Sequence, residues 1–126
     1  MKEIGIGIVG GGYMGKAHAV AMSAVGAVFN TNLRPRLEMV CGSSPKTSKK
    51  YCEAYGFKRA ANTWEELVKD KKVEAVIIAS PQSTHLKIVL MALSLGKPVF
   101  CEKPLGVSVE DGKKMVAAAE KSGAVN

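Results

Sequence analysis

Three short stretches of the chain carry residue types whose spacing suits chemistry. The first is Gly10-Gly-Gly-Tyr-Met-Gly15, which fits the pattern G-x-G-x-x-G. Gly10 permits a tight turn, and Gly12 lets backbone approach a pyrophosphate with no side chain between them. Gly15 lets a following helix pack closely on the strand before it. The first amides of that helix, those of Tyr13 and Met14, then face the phosphate oxygens with the helix dipole behind them. A flexible turn has the same composition, so the motif gains meaning only from a strand before it and a helix after it.

The second stretch is Cys41-Gly-Ser-Ser-Pro-Lys46. Dinucleotide-binding domains that prefer NAD place an Asp or Glu near this point, at the end of the second strand, to hold the ribose hydroxyls. No acid is present here. Ser43, Ser44 and Lys46 offer two hydroxyls and an ammonium, which suit a 2′-phosphate that a carboxylate would repel. The expected cofactor is therefore NADP or NAD, with a modest preference for NADP. The plainer alternative keeps Ser44 as a helix cap and Lys46 as a solvated side chain. The third stretch is Glu102-Lys103-Pro104. An ammonium at the carboxyl end of a strand can stabilise an alkoxide while a hydride leaves, or relay a proton. Taken alone, the triplet equally fits a solvated turn.

These residues need a frame to hold them. Ile4 to Val9 is a short apolar run broken only by glycine and fits a buried strand. A helix is expected from Tyr13 to Ala24, with Met14, Ala17, Ala21 and Ala24 on its inner face. Val25 to Pro35 reads as a long loop and Leu37 to Cys41 as the second strand. Pro45 to Tyr55 is a helix with Ser44 as N-cap, Pro45 at its first position and Gly56 as its stop. Phe57 to Ala60 suits a short third strand. Thr63 with Glu66 three residues on is a capping box that opens the next helix. Val73 to Ala79 is the strongest strand pattern. Ser83 or Thr84 then caps a helix to Leu95 that Gly96 closes. Pro98 to Cys101 is a fifth strand, and Ser108 caps a last helix ended by Gly123. Strands alternate with helices through connections too long for hairpins. Residues 1–126 therefore form one doubly wound, three-layer α/β domain around a parallel sheet, a Rossmann arrangement.

The bulk numbers exclude several classes. Of the 126 residues, 47% are apolar and 23% charged, an ordinary globular balance at a length that can fold alone. No apolar run approaches the ~18–20 residues of a membrane span. The glycine-rich opening does not resemble a signal peptide, so the cytoplasm is the expected setting. Net charge is +7, but the basic residues are scattered among acids and the aromatics are few, so no nucleic-acid partner is expected. A ligand carrying a pyrophosphate accounts for the sign. Cys41, Cys52 and Cys101 are odd in number and widely spaced, which suits neither a disulfide framework nor a metal site. Cys41 and Cys101 end apolar runs and read as small buried hydrophobes.

Two linked segments narrow the identification. Val73-Glu-Ala-Val-Ile-Ile-Ala-Ser-Pro-Gln-Ser-Thr-His85 is followed by Ala92-Leu-Ser-Leu-Gly-Lys-Pro-Val-Phe-Cys-Glu-Lys-Pro-Leu105. Together they resemble the Gfo/Idh/MocA oxidoreductases, and the likeness runs from the first strand to the last helix. The resemblance implies that Lys103 is the catalytic lysine, touching the nicotinamide ribose and the reacting oxygen. It makes Glu102 a cleft residue that orients Lys103, and Pro104 the shaper of the turn, with a cis peptide before it in relatives. Ser80, Pro81 and Gln82 correspond to the family's Thr-Pro-Asn position, where backbone passes under a ribose. His85 matches a family histidine and is read evenly between a cofactor contact and a structural role. His18 is expected to pack or face solvent, and Trp64 to belong to the core.

The family also implies a second, largely antiparallel domain that supplies the substrate surface, and a sixth strand after Gly123. Neither is in these residues. The expectation is hydride transfer in the whole protein on a sugar, polyol or related carbinol, with dinucleotide binding but no turnover by residues 1–126 alone. A small-molecule substrate would then bind only with the second domain. The parent would be a homo-oligomer, and the isolated domain would self-associate through uncovered apolar surface. A free-standing nucleotide-binding regulatory module is the alternative. A domain for S-adenosylmethionine fits less well, because it too would want an acid after the second strand.

Overall fold

The computed structural model describes all of residues 1–126. Five strands, β1 (Lys2–Val9), β2 (Leu33–Cys41), β3 (Arg59–Ala60), β4 (Ala75–Ile78) and β5 (Val99–Cys101), form one parallel sheet in the order β3-β2-β1-β4-β5. Helices α1 (Tyr13–Val28), α2 (Pro45–Tyr55), α3 (Trp64–Lys69), α4 (His85–Ser94) and α5 (Val109–Ser122) return the chain between and after the strands. The doubly wound arrangement is as the alternation of elements requires.

Two apolar clusters lie on the two faces of the sheet. Ile6, Ile8, Val40 and Ile77 pack with Ala19 of α1 and with Phe57. Val9, Met39, Val76 and Ile78 pack with Leu67, Ile88, Ala92 and Met115 of α3, α4 and α5. The alternation Ile-Gly-Ile-Gly-Ile in β1 follows from this division, because successive strand residues face opposite layers. The isoleucines fill the α1/α2 side, whereas a Cβ on Gly7 would stand 2.7 Å from both Leu67 and Val73.

Hydroxyl caps are found at three of the expected places. Ser44 accepts from Thr47 N–H (3.1 Å), Thr63 from Glu66 N–H (3.2 Å) and Ser108 from Asp111 N–H (3.1 Å). The Glu66 carboxylate reaches back to Asn62 N–H (2.8 Å), one residue before the cap itself. The fourth helix starts differently. Gln82–Thr84 forms a 3-10 turn, and neither Ser83 nor Thr84 caps α4, because the Thr84 hydroxyl donates to Pro81 O (2.6 Å).

Helix α1 corrects the sequence expectation twice. It runs on to Val28, which leaves only residues 29–32 before β2. Pro35 therefore lies inside a strand; β3 pairs only with Met39 and Val40, so Pro35 sits where β2 has an open edge and proline is tolerated. The inner face of α1 is also rotated. Gly15 and Ala19 are buried, with His18 and Met22 beside them, while Met14, Ala17 and Ala21 are exposed. The close contact of Gly15 fixes this rotation, since a Cβ there would lie 2.0 Å from Gly10 O.

Between Ile6 and Gly7 the β1–β2 register slips, so that Leu37 and Met39 pair and Glu38 is the extra residue of a bulge. Glu38 is 3% exposed and is held by Arg36 Nε (2.8 Å) and Arg59.

Candidate functional site

β1 is followed by β2 on one side and flanked by β4 on the other, so the sheet's chain order reverses between β1 and β4. Ligands of open α/β sheets bind outside the carboxyl ends of the strands at such a point. A cleft of about 690 Å³ opens there, floored by Val9, Gly10 and Ala79 and walled by Ser43, Trp64 and Pro81. This is the size of a cofactor site.

The glycines divide the work. Gly10 has φ +99° and donates to Cys41 O (2.8 Å); a Cβ on it would lie 2.5 Å from the Ala79 carbonyl carbon. Gly15 holds α1 against this turn. Nothing lies within 4 Å of the place where a Gly12 Cβ would stand, so that backbone faces open space. The first bond of α1 runs from Lys16 N–H to Gly12 O (2.9 Å), which leaves the amides of Tyr13, Met14 and Gly15 free for a ligand. The first turn contains no acid. A diphosphate fits these donors in both charge and room.

Gly11 was not singled out by the motif, yet it is as constrained as Gly10 and Gly15. A Gly11 Cβ would stand 2.0 Å from the Tyr51 ring, and Tyr55 donates its hydroxyl hydrogen to Gly11 O (2.7 Å). The two tyrosines stack at 5.5 Å between ring centroids, one helical turn apart on α2. Their four-residue spacing was the available sequence signal. Trp64, read as core, packs partly on the core and also forms a wall of the cleft.

At the end of β2, Gly42 and Ser43 line the cleft. The Ser44 hydroxyl is engaged as the α2 cap and touches Thr47 Oγ1 (2.9 Å). Lys46 is exposed on the first turn of α2, outside the cleft lining, and Ser48 is buried with its hydroxyl accepting from Gly42 N–H (2.8 Å). No carboxylate lines the cleft at the end of β2; the acid in its wall, Glu65, comes from α3.

Ser80 and Pro81 line the cleft at the end of β4. Gln82 does not; its amide nitrogen donates to Gly106 O (2.6 Å). His85 is 1% exposed, with Nε2 on Ser80 O (2.9 Å) and Nδ1 within 3.1 Å of both Pro104 O and Leu105 O. The ring thus has carbonyls at both nitrogens and lies outside the cleft lining.

Glu102 and Lys103 follow β5, one strand over from the cleft floor. Glu102 N–H extends the ladder to Ile78 O (2.9 Å), and the peptide between Lys103 and Pro104 is cis. His18 belongs to this turn, although its sequence position gave no sign of it. Its Nε2 lies 2.8 Å from Glu102 Oε1, and its ring meets Phe100 edge-on at 5.0 Å. Glu102 Oε2 in turn accepts from Lys103 N–H (3.2 Å). The His18 contact, helped by the Lys103 amide and ammonium, holds the Glu102 carboxyl below its ordinary range. Lys103 itself is exposed.

The cysteines are chemically quiet. Burial pushes the Cys41 thiol up and Cys101 up to about 11, so both are neutral near pH 7.

With this geometry in hand, the kinship is specific. A family model described as an oxidoreductase family with an NAD-binding Rossmann fold, GFO_IDH_MocA, matches residues 4–126. Levoglucosan dehydrogenase of Pseudarthrobacter phenanthrenivorans is 30% identical over all of this chain and 33% of its own length. Inositol 2-dehydrogenase of Salmonella typhimurium is 33% identical over 93% of this chain and 33% of its own. A structure of levoglucosan dehydrogenase in complex with NADH and L-sorbose superposes with a TM-score of 0.96 at 30% identity, covering 99% of this chain and 34% of that one. The chain thus spans about a third of the length of the relatives it matches. The chain belongs to the Gfo/Idh/MocA oxidoreductase family, as an NAD-binding Rossmann domain.

Proposed function

We propose that this chain is the cofactor half of an NAD(P)-dependent oxidoreductase acting on a carbinol carbon of a sugar, polyol or related compound. The observation that carries it is the pairing of an open Gly12 face with free amides at the start of α1, at the switch point of the sheet. In that cleft the amides of Tyr13, Met14 and Gly15 hold the diphosphate, and Ser80 and Pro81 pass beneath a ribose. When bound, the nicotinamide supplies or accepts the hydride. Lys103 Nζ steadies the substrate oxygen as it changes between hydroxyl and carbonyl, and Glu102 orients the lysine through its backbone amide.

NADP in preference to NAD is supported by the end of β2, where Ser43 lines the cleft, no acid follows the strand and the Lys46 ammonium is nearby on α2. Against it, Ser44 is already occupied as a cap. Residues 1–126 are proposed to bind dinucleotide without turnover, because the family's substrate surface lies in its second domain. Self-association is supported by exposed Leu105, Val107, Val109 and Val116, and light scattering that finds a clean monomer at high concentration would contradict it. Three free cysteines suit a cytoplasmic setting.

Calorimetric titration of the purified chain with NADP and with NAD tests the proposal. One-to-one binding, tighter for NADP, is expected. Tighter NAD binding removes the phosphate-pocket assignment alone, and no binding of either removes the dinucleotide assignment.

A further inference from the structure

The segment that carries Lys103 has almost no backbone support. From Glu102 to Val107 a single backbone–backbone hydrogen bond is made, the one from Glu102 N–H to Ile78 O. Yet three successive carbonyls of this segment are held, all by side chains of the 3-10 turn after β4 and of the first residue of α4. Gln82 Nε2 donates to Gly106 O (2.6 Å), and His85 Nδ1 lies 3.1 Å from both Pro104 O and Leu105 O. On its other side the same ring reaches Ser80 O (2.9 Å), in the cleft wall. Carbonyl oxygens thus stand at both ring nitrogens, and the imidazole bridges Ser80 to the lysine turn. Its 1% exposure leaves no water to take the place of either contact.

We propose that Gln82 and His85 are positioning residues: together they strap the lysine turn to the end of β4 and so set where Lys103 stands relative to the nicotinamide end of the cleft. Neither touches the cofactor. This rests on the dinucleotide assignment above, since it concerns where a lysine sits along that ligand. The chemical consequence is selective. Loosening the strap weakens contacts to the nicotinamide half and spares the glycine-loop half, which is held by β1 and α1.

The test uses two ligands with the same diphosphate, NADH and ADP-ribose, the second lacking the nicotinamide. The variants Gln82→Ala and His85→Gln are titrated with each; a glutamine at position 85 can reach only one side of the ring's span. Loss of one such hydrogen bond is worth about threefold to tenfold in affinity. The expected result is a loss of that order for NADH, with ADP-ribose binding unchanged. Equal losses for both ligands, or no loss for either, would overturn the strap. If His85→Gln does not fold, Gln82→Ala carries the comparison, because that side chain is only half-buried. Amide hydrogen exchange on the ligand-free chain gives a reading independent of binding. Faster exchange at Glu102 and Lys103, the two amides of the segment that have acceptors, is expected in Gln82→Ala, with Val9 and Val40 unchanged; identical exchange in variant and parent overturns the proposal even if nucleotide binds. A parent chain that binds neither ligand removes the dinucleotide assignment instead, and with it the role proposed for the strap.

Discussion

The two ends of the sheet are finished in opposite ways. At the amino end two arginines and three acids form one connected network of ion pairs. Arg36 joins Glu3 (3.0 Å) to Glu38 (2.8 Å), and Arg59 joins Glu38 (2.7 Å) to Asp70 through both guanidinium nitrogens (2.7 Å each). Lys72 N–H donates to the Asp70 carboxylate (2.8 Å), and Lys97 Nζ to its carbonyl (2.8 Å). At the carboxyl end the helix amides of residues 13–15 have no acceptor and Gly12 faces empty space. Unsatisfied donors are costly in a sealed interior but are what an anion requires at an open one. One scaffold thus separates the tasks: its lower edge is closed by ion pairs, and its upper edge is left for a ligand to complete.

The contrast breaks most completely at the upper edge. Gly15→Val places methyl groups where Gly10 O stands, and should lower dinucleotide affinity at least about 100-fold, some 2.7 kcal/mol. Calorimetry reads the loss, and circular dichroism confirms that the sheet survives. At the lower edge, Glu38→Ala leaves two arginines facing each other and should cost roughly 3 kcal/mol in denaturant unfolding. Nucleotide affinity of the folded fraction should not change; a comparable fall in affinity would show that the two ends are coupled.

A smaller effect follows from acid. Hydrogen bonds from Arg59 bring Asp70 down to about 2, below its ordinary value near 4. Burial works to raise Glu38, but Arg36 and Arg59 more than offset it, so that carboxyl is lowered as well. Groups depressed in the folded state contribute stability that is complete above the unfolded value and is lost as pH falls through the folded one. The melting temperature should therefore decline from about pH 5 toward pH 2, and Asp70→Asn should flatten that decline. Smallest of all, Lys46→Glu should shift the NADP-to-NAD affinity ratio toward NAD by about threefold to tenfold, the scale of one exposed charge contact. An unchanged ratio would remove Lys46 from the cofactor site.

What the sequence disclosed, and what it hid, follows the range of the interactions. The glycine loop, the caps Ser44, Thr63 and Ser108, and the stops Gly56, Gly96 and Gly123 act within a few residues, and each stands where its local chemistry puts it. The inner face of α1 was misread because Gly15 and the Gly10 carbonyl, not the spacing of apolar residues, decide its rotation. The Glu38 bulge depends on Arg59, 21 residues on, and the His18–Glu102 contact joins residues 84 apart. No period or turn signal encodes such pairs. His85 shows the same limit from the other side, since its position in a motif left a ligand contact and a structural role equally open, and only the fold reveals its burial against the lysine turn.

Helix α1 has a further consequence as a ruler. Its first turn begins at the glycine loop and its next inward residue after Gly15, His18, holds Glu102 beside the lysine. Three residues of α-helix advance by about 4.5 Å, and that rigid interval separates the free amides at the start of α1 from the histidine that holds Glu102. One extra residue between Gly15 and His18 would turn the histidine by about 100° and swing it away from Glu102, while leaving the loop itself whole. The distance between the open glycine loop and the turn that carries Lys103 is thus written in a single turn of one helix.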